Sequence, residues 1–210
     1  MQHNIIITGV GGQGVVTLGL IISSAAISFG ERAIMSEIHG LAQRGGSVSV
    51  DVRIGNYRAP IVPDGKADLI ISLEPLEALR AISRAGPSTV VVMGEERLPP
   101  VYLGIHRQSY PDLNEIIGVI SHKLRLYHLD AMRLAREAGD TRTVNTVMVG
   151  YIVGLGLISI PQQIFHREIE KTFAKKYADM NMKAFALGLQ TAQKIMATGN
   201  DTVEIQHGFG

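Results

Sequence analysis

The sequence predicts an α/β fold: a mainly parallel sheet with helices on both faces and a helical C-terminal region. Three observations predict it. Short apolar runs of strand length alternate with helical patterns over the first two thirds of the chain. A glycine-rich turn, Gly9-Val10-Gly11-Gly12-Gln13-Gly14, joins the first such run to the first helix. From Val144 to Met196 the rhythm of apolar residues is helical throughout.

Each element follows from local pattern. Ile5-Ile6-Ile7 reads as a buried strand. The first helix runs from Gln13 to about Phe29 and stops near Gly30. Arg32 to Glu37 reads as the second strand. Residues Ser47 to Ile54 alternate polar and apolar, as a half-exposed strand does. Asp68 to Leu73 is an apolar strand, and Pro75 sits well at the first turn of a helix reaching about Arg84. Thr89 to Met93 is a further buried strand. Gly94 to Arg107, with Pro99-Pro100, reads as a loop with at most one strand. Leu124 to His128 reads as a strand, and Asp130 to Glu137 as a helix closed by Gly139. The region Val144 to Ile160 carries no charge, but Asn145, its glycines and its length make it a buried helix rather than a membrane span. Pro161 opens another helix, with Ile164, Phe165, Ile169 and Phe173 on one face. A last helix spans about Met180 to Met196. One domain over residues 1–196 is expected, with a loose tail over 197–210.

Composition narrows the function. Lys plus Arg number 20 against 19 for Asp plus Glu, a balance that argues against nucleic acid or a membrane surface as the main partner. There is no cysteine, so the chain can hold no disulfide, no Cys-ligated iron–sulfur cluster and no thiol nucleophile. No basic segment precedes the first apolar run, which ends at Gly9, so it reads as a strand and not a signal peptide. A cytoplasmic location is expected.

The chemistry concentrates in two glycine-rich turns. Gly9, Gly11 and Gly14 fit the GxGxxG pattern of Rossmann-like sheets. In that pattern the first glycine allows a tight turn, the second lets backbone approach a phosphate, and the third lets helix and strand pack closely. Amides at the helix start then favour an anion. The same turn also serves if it is tightened for packing alone. The second turn is His39-Gly40-Leu41-Ala42-Gln43-Arg44-Gly45-Gly46, which offers a basic side chain and a flexible backbone near the first turn. The candidate binding residues are therefore Gly9, Gly11, Gly12, Gln13, Gly14, His39, Gln43, Arg44, Gly45 and Gly46. No catalytic residue and no metal site emerge. Glu37 stands where a dinucleotide fold places its ribose-binding acid. His128 beside Asp130 reads as an ordinary strand-end pair, with a proton-transfer pair as its alternative.

The two turns together, with Val52-Arg53-Ile54-Gly55, Glu74-Pro75-Leu76-Glu77-Ala78-Leu79-Arg80, Leu129-Asp130-Ala131 and Asn145, resemble the gamma module of 2-oxoacid:ferredoxin oxidoreductases over roughly Asn4 to Gln190. The Gln-Arg-Gly-Gly-Ser form is most similar to the small (beta) subunit of the indolepyruvate type. The resemblance implies a complex that oxidatively decarboxylates a 2-oxoacid with coenzyme A, giving acyl-CoA, CO2 and reduced ferredoxin. It implies that thiamine diphosphate and iron–sulfur clusters sit on a larger partner subunit. It implies that this chain supports assembly and coenzyme A handling and is inactive alone. A homodimer of the isolated chain is also expected. Two other readings stay open: a free-standing NAD(P)-binding oxidoreductase, and a purely structural assembly module.

Overall fold

The computed structural model describes residues 1–39, 46–99 and 109–198. Six strands form one sheet: β1 (His3–Val10), β2 (Ala33–His39), β3 (Ser47–Ile54), β4 (Ala67–Ser72), β5 (Ala85–Gly94) and β6 (Arg125–Leu129). Their order is β2-β3-β1-β4-β5-β6. Seven helices surround them among the described residues: α1 (Val15–Ser28), α2 (Pro75–Ala81), α3 (Leu113–Ser121), α4 (Ala131–Ala138), α5 (Val144–Gly154), α6 (Gln162–Thr172) and α7 (Lys175–Thr198).

Strand β1 pairs in parallel with β4, β4 with β5, and β5 with β6. Strand β3 is the exception and runs antiparallel to both β1 and β2. The reason is connection length. A parallel return needs a crossover of a dozen residues or so, and only the short segment after His39 separates β2 from Ser47.

Alternation along the strands builds two cores. Ile5, Ile7, Leu69, Ile71, Val92 and Tyr127 face α1 and the C-terminal helices. Ile6, Ile70, Val91, Met93 and Leu126 face α2 and α3. The expected layering, with helices on both faces, is what forms.

Four expectations need correction. Strand β3 is not half-exposed: between β1 and β2 nearly all of it is buried, including Asp51 and Arg53. Both are satisfied, Asp51 by Arg84 and the Val62 amide, Arg53 by Asn4 and the carbonyls of Ala59 and Ile61. Helix α3 is an element that the irregular middle of the chain concealed. Its start is a capping box, in which Asp112 accepts from Asn114 and Glu115 accepts from the Asp112 amide. The helix begun at Val144 stops at Gly154, because the chain turns at Gly156 with φ +69°. The last helix spans Lys175–Thr198, beginning five residues before the expected start at Met180 and ending past the expected end at Met196. No helix among the described residues is long and apolar enough to cross a membrane. Residues 199–210 of the expected tail lie outside the described residues.

Candidate functional site

The glycine turn lies at the C-terminal end of β1, where the chain leaves toward β2 on one side while β4 leaves toward β5 on the other. Open α/β sheets bind ligands at such a switch point. A cleft of about 410 Å³ opens here, lined by Gly11, Gly12, Gln13, Gly14, Thr17, Glu96, Leu98, Met132, Thr141, Arg142, Val144, Asn145 and Phe173. A second cavity of about 330 Å³ flanks the turn beside Val16 and Val48.

The glycines divide the work differently from the pattern's usual assignment. Gly9 is a strand residue kept small by packing: a Cβ there would lie 2.8 Å from Gln13 Oε1 and 2.9 Å from Val15. The turn itself is made at Gly12, with φ +101° and open space around a built Cβ. Gly14 is the N-cap of α1 in the left-handed region, φ +85°, and a Cβ would press on Asn145 Nδ2 at 2.9 Å. The third glycine therefore serves close approach of α5 rather than of a strand.

Not every amide of the turn is available to an anion. The Gly11 amide donates to Gly46 O at 2.9 Å, and Gln13 N donates to Val10 O at 3.1 Å. The Gln13 side chain accepts from Val10 N at 2.8 Å and donates to Leu73 O at 3.1 Å, so it ties the end of β1 to the end of β4. Among the described residues, neither the Gly12 nor the Gly14 amide donates in the backbone bonds of the turn, and both residues line the cleft.

Among the described residues, the cation that lines this cleft, Arg142, is one that sequence reasoning missed. Arg142 is held by Asp140 through Nη2–Oδ2 at 2.5 Å and Nε–Oδ2 at 2.9 Å, and it stacks toward Tyr177 at 5.3 Å. Hydrogen bonding from Arg142 lowers the Asp140 carboxyl to about 2. Asn145, 4% exposed, starts α5 beside Gly14. Only the position of Arg142 in the link between α4 and the uncharged α5 hinted at a role. Gln43, Arg44 and Gly45 lie outside the described residues. Of the second turn, Gly46 is placed against Gly11, and His39 ends β2 opposite Val48.

Glu37 does not stand beside the glycine turn. It pairs with Val50, which pairs on its other side with Ile7, so β3 separates it from β1. Two strand spacings put it about 9–10 Å from the β1 backbone. His128 is bonded to Glu95, Nδ1 to Oε1 at 2.7 Å, and not to Asp130, which caps α4 through Arg133 N. Among the described residues no three His, Cys, Asp or Glu side chains form a metal cluster.

Below the wall of the cleft is a buried acid. Glu74, fully buried, accepts from Glu77 N at 2.9 Å, from Leu98 N at 3.3 Å and from the Tyr110 hydroxyl. Glu77, also buried, accepts from Ser47 at 2.6 Å and from Arg80 at 2.5 Å. Burial pushes the Glu74 carboxyl above its ordinary value, outweighing the donors that lower it. The folded protein therefore holds this proton more tightly than the unfolded chain. That contribution to stability is complete below the ordinary value of 4.5 and is lost as pH rises through the raised value. Thermal unfolding across that rise is expected to show a loss that Glu74→Gln largely removes. An equal pH slope in both proteins would refute it. Tyr110→Phe is expected to cost about 1–3 kcal/mol by taking a donor from a buried carboxyl.

Comparison with known proteins decides the family. Residues 4–191 match the family described as pyruvate ferredoxin/flavodoxin oxidoreductase. The chain belongs to that family. It is 40% identical to the indolepyruvate oxidoreductase subunit IorB of Archaeoglobus fulgidus, over 91% of this chain and 96% of that protein. It is 28% identical to the ketoisovalerate oxidoreductase subunit VorA of Methanothermobacter marburgensis, over 90% of this chain but 36% of the longer relative. Its fold is that of the keto/oxoacid ferredoxin oxidoreductase gamma subunit from Geobacter sulfurreducens, with a TM-score of 0.68 at 20% identity, covering 91% of this chain and 99% of that one.

Proposed function

We propose that this chain is the small subunit of a 2-oxoacid:ferredoxin oxidoreductase of the indolepyruvate type, and that its glycine-turn cleft holds a phosphate of coenzyme A. The near end-to-end match to an indolepyruvate oxidoreductase subunit carries the first part. The reaction is oxidative decarboxylation: a 2-oxoacid and coenzyme A become an acyl-CoA and CO2, and two electrons pass to ferredoxin. Thiamine diphosphate supplies the decarboxylation chemistry and iron–sulfur clusters carry the electrons, both on the larger subunit. The absence of cysteine agrees with clusters held elsewhere. The enzyme works in the cytoplasm.

The cleft suits a phosphate through three features: the Gly12 and Gly14 amides, the start of α1 behind them, and the guanidinium of Arg142. Arg44 is a second candidate cation. Glu96 on the same wall, its carboxyl raised by burial, offers an acceptor to a donor group next to the phosphate.

In the assembled enzyme, Gly12→Val places a branched side chain at the cleft and strains a positive φ, while Arg142→Ala removes charge from an exposed side chain without touching the core. Each is expected to raise the coenzyme A requirement roughly ten- to hundredfold, as loss of one charge-assisted contact does. The 2-oxoacid requirement should change far less. The isolated chain should be inactive with either substrate. A structural reading is favoured by the bonds that already occupy Gly11, Gln13 and Gly46. It prevails if both variants leave coenzyme A dependence unchanged while assembly weakens.

A further inference from the structure

Two helices begin at the cleft. Gly14 caps α1, while Val144 and Asn145 open α5, and all three residues line the cleft. Both helix starts bring the positive ends of their dipoles to the same space. A helix start is only a favourable setting, and the side chain of Asn145 supplies the specific feature. This residue is 4% exposed. Its Oδ1 accepts from Thr146 N at 2.9 Å and lies 3.4 Å from the Thr146 hydroxyl. The Thr146 amide belongs to the first turn of α5 and has no acceptor within the helix, so Asn145 gives it one. That bond also fixes which end of the carboxamide is which. An N–H donor must face the oxygen, so Nδ2 points the other way. Nδ2 lies against Gly14, 2.9 Å from where a Cβ would stand. Among the described residues it donates to no acceptor. Nor is it sealed in, since the buried side-chain atoms without a partner there are His3 Nε2 and Ser23 Oγ. Nδ2 therefore keeps its access on the cleft side. Behind it, the fully buried Thr146 donates its hydroxyl to Asn181 Oδ1 at 2.7 Å, and Asn181 donates to Tyr177 O at 2.9 Å. The Tyr177 ring in turn lies 5.3 Å from the Arg142 guanidinium. One segment of α7 thus stands behind both the carboxamide and the cation of the cleft.

We infer that the Asn145 carboxamide is a ligand-binding group that donates from Nδ2 to an oxygen of a phosphoryl group seated on the start of α1. The sign of its neighbours selects that class of occupant. Of the charged groups lining the cleft among the described residues, Glu96 opposes an anion and Arg142 favours it. Those two offset each other in charge, which leaves the two helix starts and Nδ2 to favour the anion. A phosphoryl oxygen accepts several hydrogen bonds at once, and bonds to a charged acceptor are the strong ones. The carboxamide also differs from Arg142 in kind. The guanidinium ends a long side chain that is 70% exposed, so it attracts charge over a range of positions. Nδ2 is held in one place and so sets where the oxygen sits. The inference rests on the coenzyme A reading for the source of the phosphate alone; the donors stand without it.

The test uses the full chain, with inorganic pyrophosphate as the probe at constant ionic strength. Nuclear magnetic resonance reads the side-chain N–H pair of Asn145 directly and needs no variant. That pair is expected to shift along a saturating curve, together with the Gly12 and Gly14 amides. The side-chain pair of Asn181, 2% exposed and already bonded to Tyr177 O, should move far less. Asn145→Asp keeps the size and the acceptor for Thr146 N but replaces the donor with a second acceptor. Its melting temperature should stay near that of the unaltered chain, while pyrophosphate binds roughly tenfold or more weakly. Asn145→Ala should weaken binding less, because it adds no repulsion. An unmoved Asn145 pair at saturating pyrophosphate overturns the inference. So does a shift that never saturates, which marks loose attraction to exposed cations, and so does undiminished affinity in Asn145→Asp. The coenzyme A reading fails separately. In the assembled enzyme Asn145→Asp is expected to raise the coenzyme A requirement by about the factor it costs pyrophosphate. An unchanged requirement beside weakened pyrophosphate binding would assign the site to another phosphorylated ligand and leave the role of Asn145 in place.

Discussion

Arg84→Ala is expected to destabilise the protein by about 3–5 kcal/mol, the cost of stranding a charge inside a fold. The stranded group is Asp51, fully buried in the middle of β3. Arg84 reaches it with both terminal nitrogens, at 2.8 and 2.6 Å, and also donates to Val62 O at 2.7 Å. The Val62 amide supplies Asp51 with a third donor at 2.8 Å. The two partners are unequal. Arg84 keeps 20% of its side chain exposed and can turn to water when Asp51 is lost, but Asp51 cannot do so when Arg84 is lost. Asp51→Ala should therefore cost less than Arg84→Ala. Urea unfolding checks both, read as a shift in midpoint at constant slope. A loss below about 1 kcal/mol for Arg84→Ala would place the pair among surface ion pairs.

Gly188→Val is expected to cost about 3 kcal/mol or more, beyond the usual range for overpacking, because the obstacle is backbone. A Cβ at Gly188 would lie 2.1 Å from Val147 O and 2.8 Å from Tyr151 N. The reciprocal contact is as close: a Cβ at Gly150 would lie 2.0 Å from Phe185 O. Helices α5 and α7 thus touch main chain to main chain, and no rotamer change relieves the clash. Gly150→Ala should cause a similar loss. The double variant should lose less than the sum, because the helices part only once. The effect should also reach the cleft. Asn145 begins α5 directly against Gly14, so parting the helices moves the wall that faces the glycine turn. Melting temperatures of the two single variants and the double variant measure the first effect. The coenzyme A requirement of the assembled enzyme measures the second.

Much of the molecule was legible in order along the chain. The strands at Ile5, Ser47, Leu69 and Val90 announce themselves by short apolar runs or period-two alternation, and Pro75 and Gly139 mark helix ends, because these signals depend on neighbours within a few residues. Helix α3 was equally local, with Asp112 and Glu115 spaced as a capping box, but it follows the irregular, proline-bearing stretch from Gly94 and was passed over with it. The family was legible too, because its two glycine turns are contiguous motifs.

What the sequence by itself determined is thus the set of elements, the glycine turn that begins α1, and the absence of any thiol ligand. Tertiary structure alone decided which elements are neighbours. It placed β3 between β1 and β2, which removed Glu37 from the glycine turn and buried Asp51 beside Arg84, 33 residues away. It brought Arg142 and Asn145 to Gly14. The physical reason is common to all of these. Strand pairing and helix contact join residues far apart in the chain, and their energies come from shape and burial at the contact. No local pattern records which distant surface will meet which.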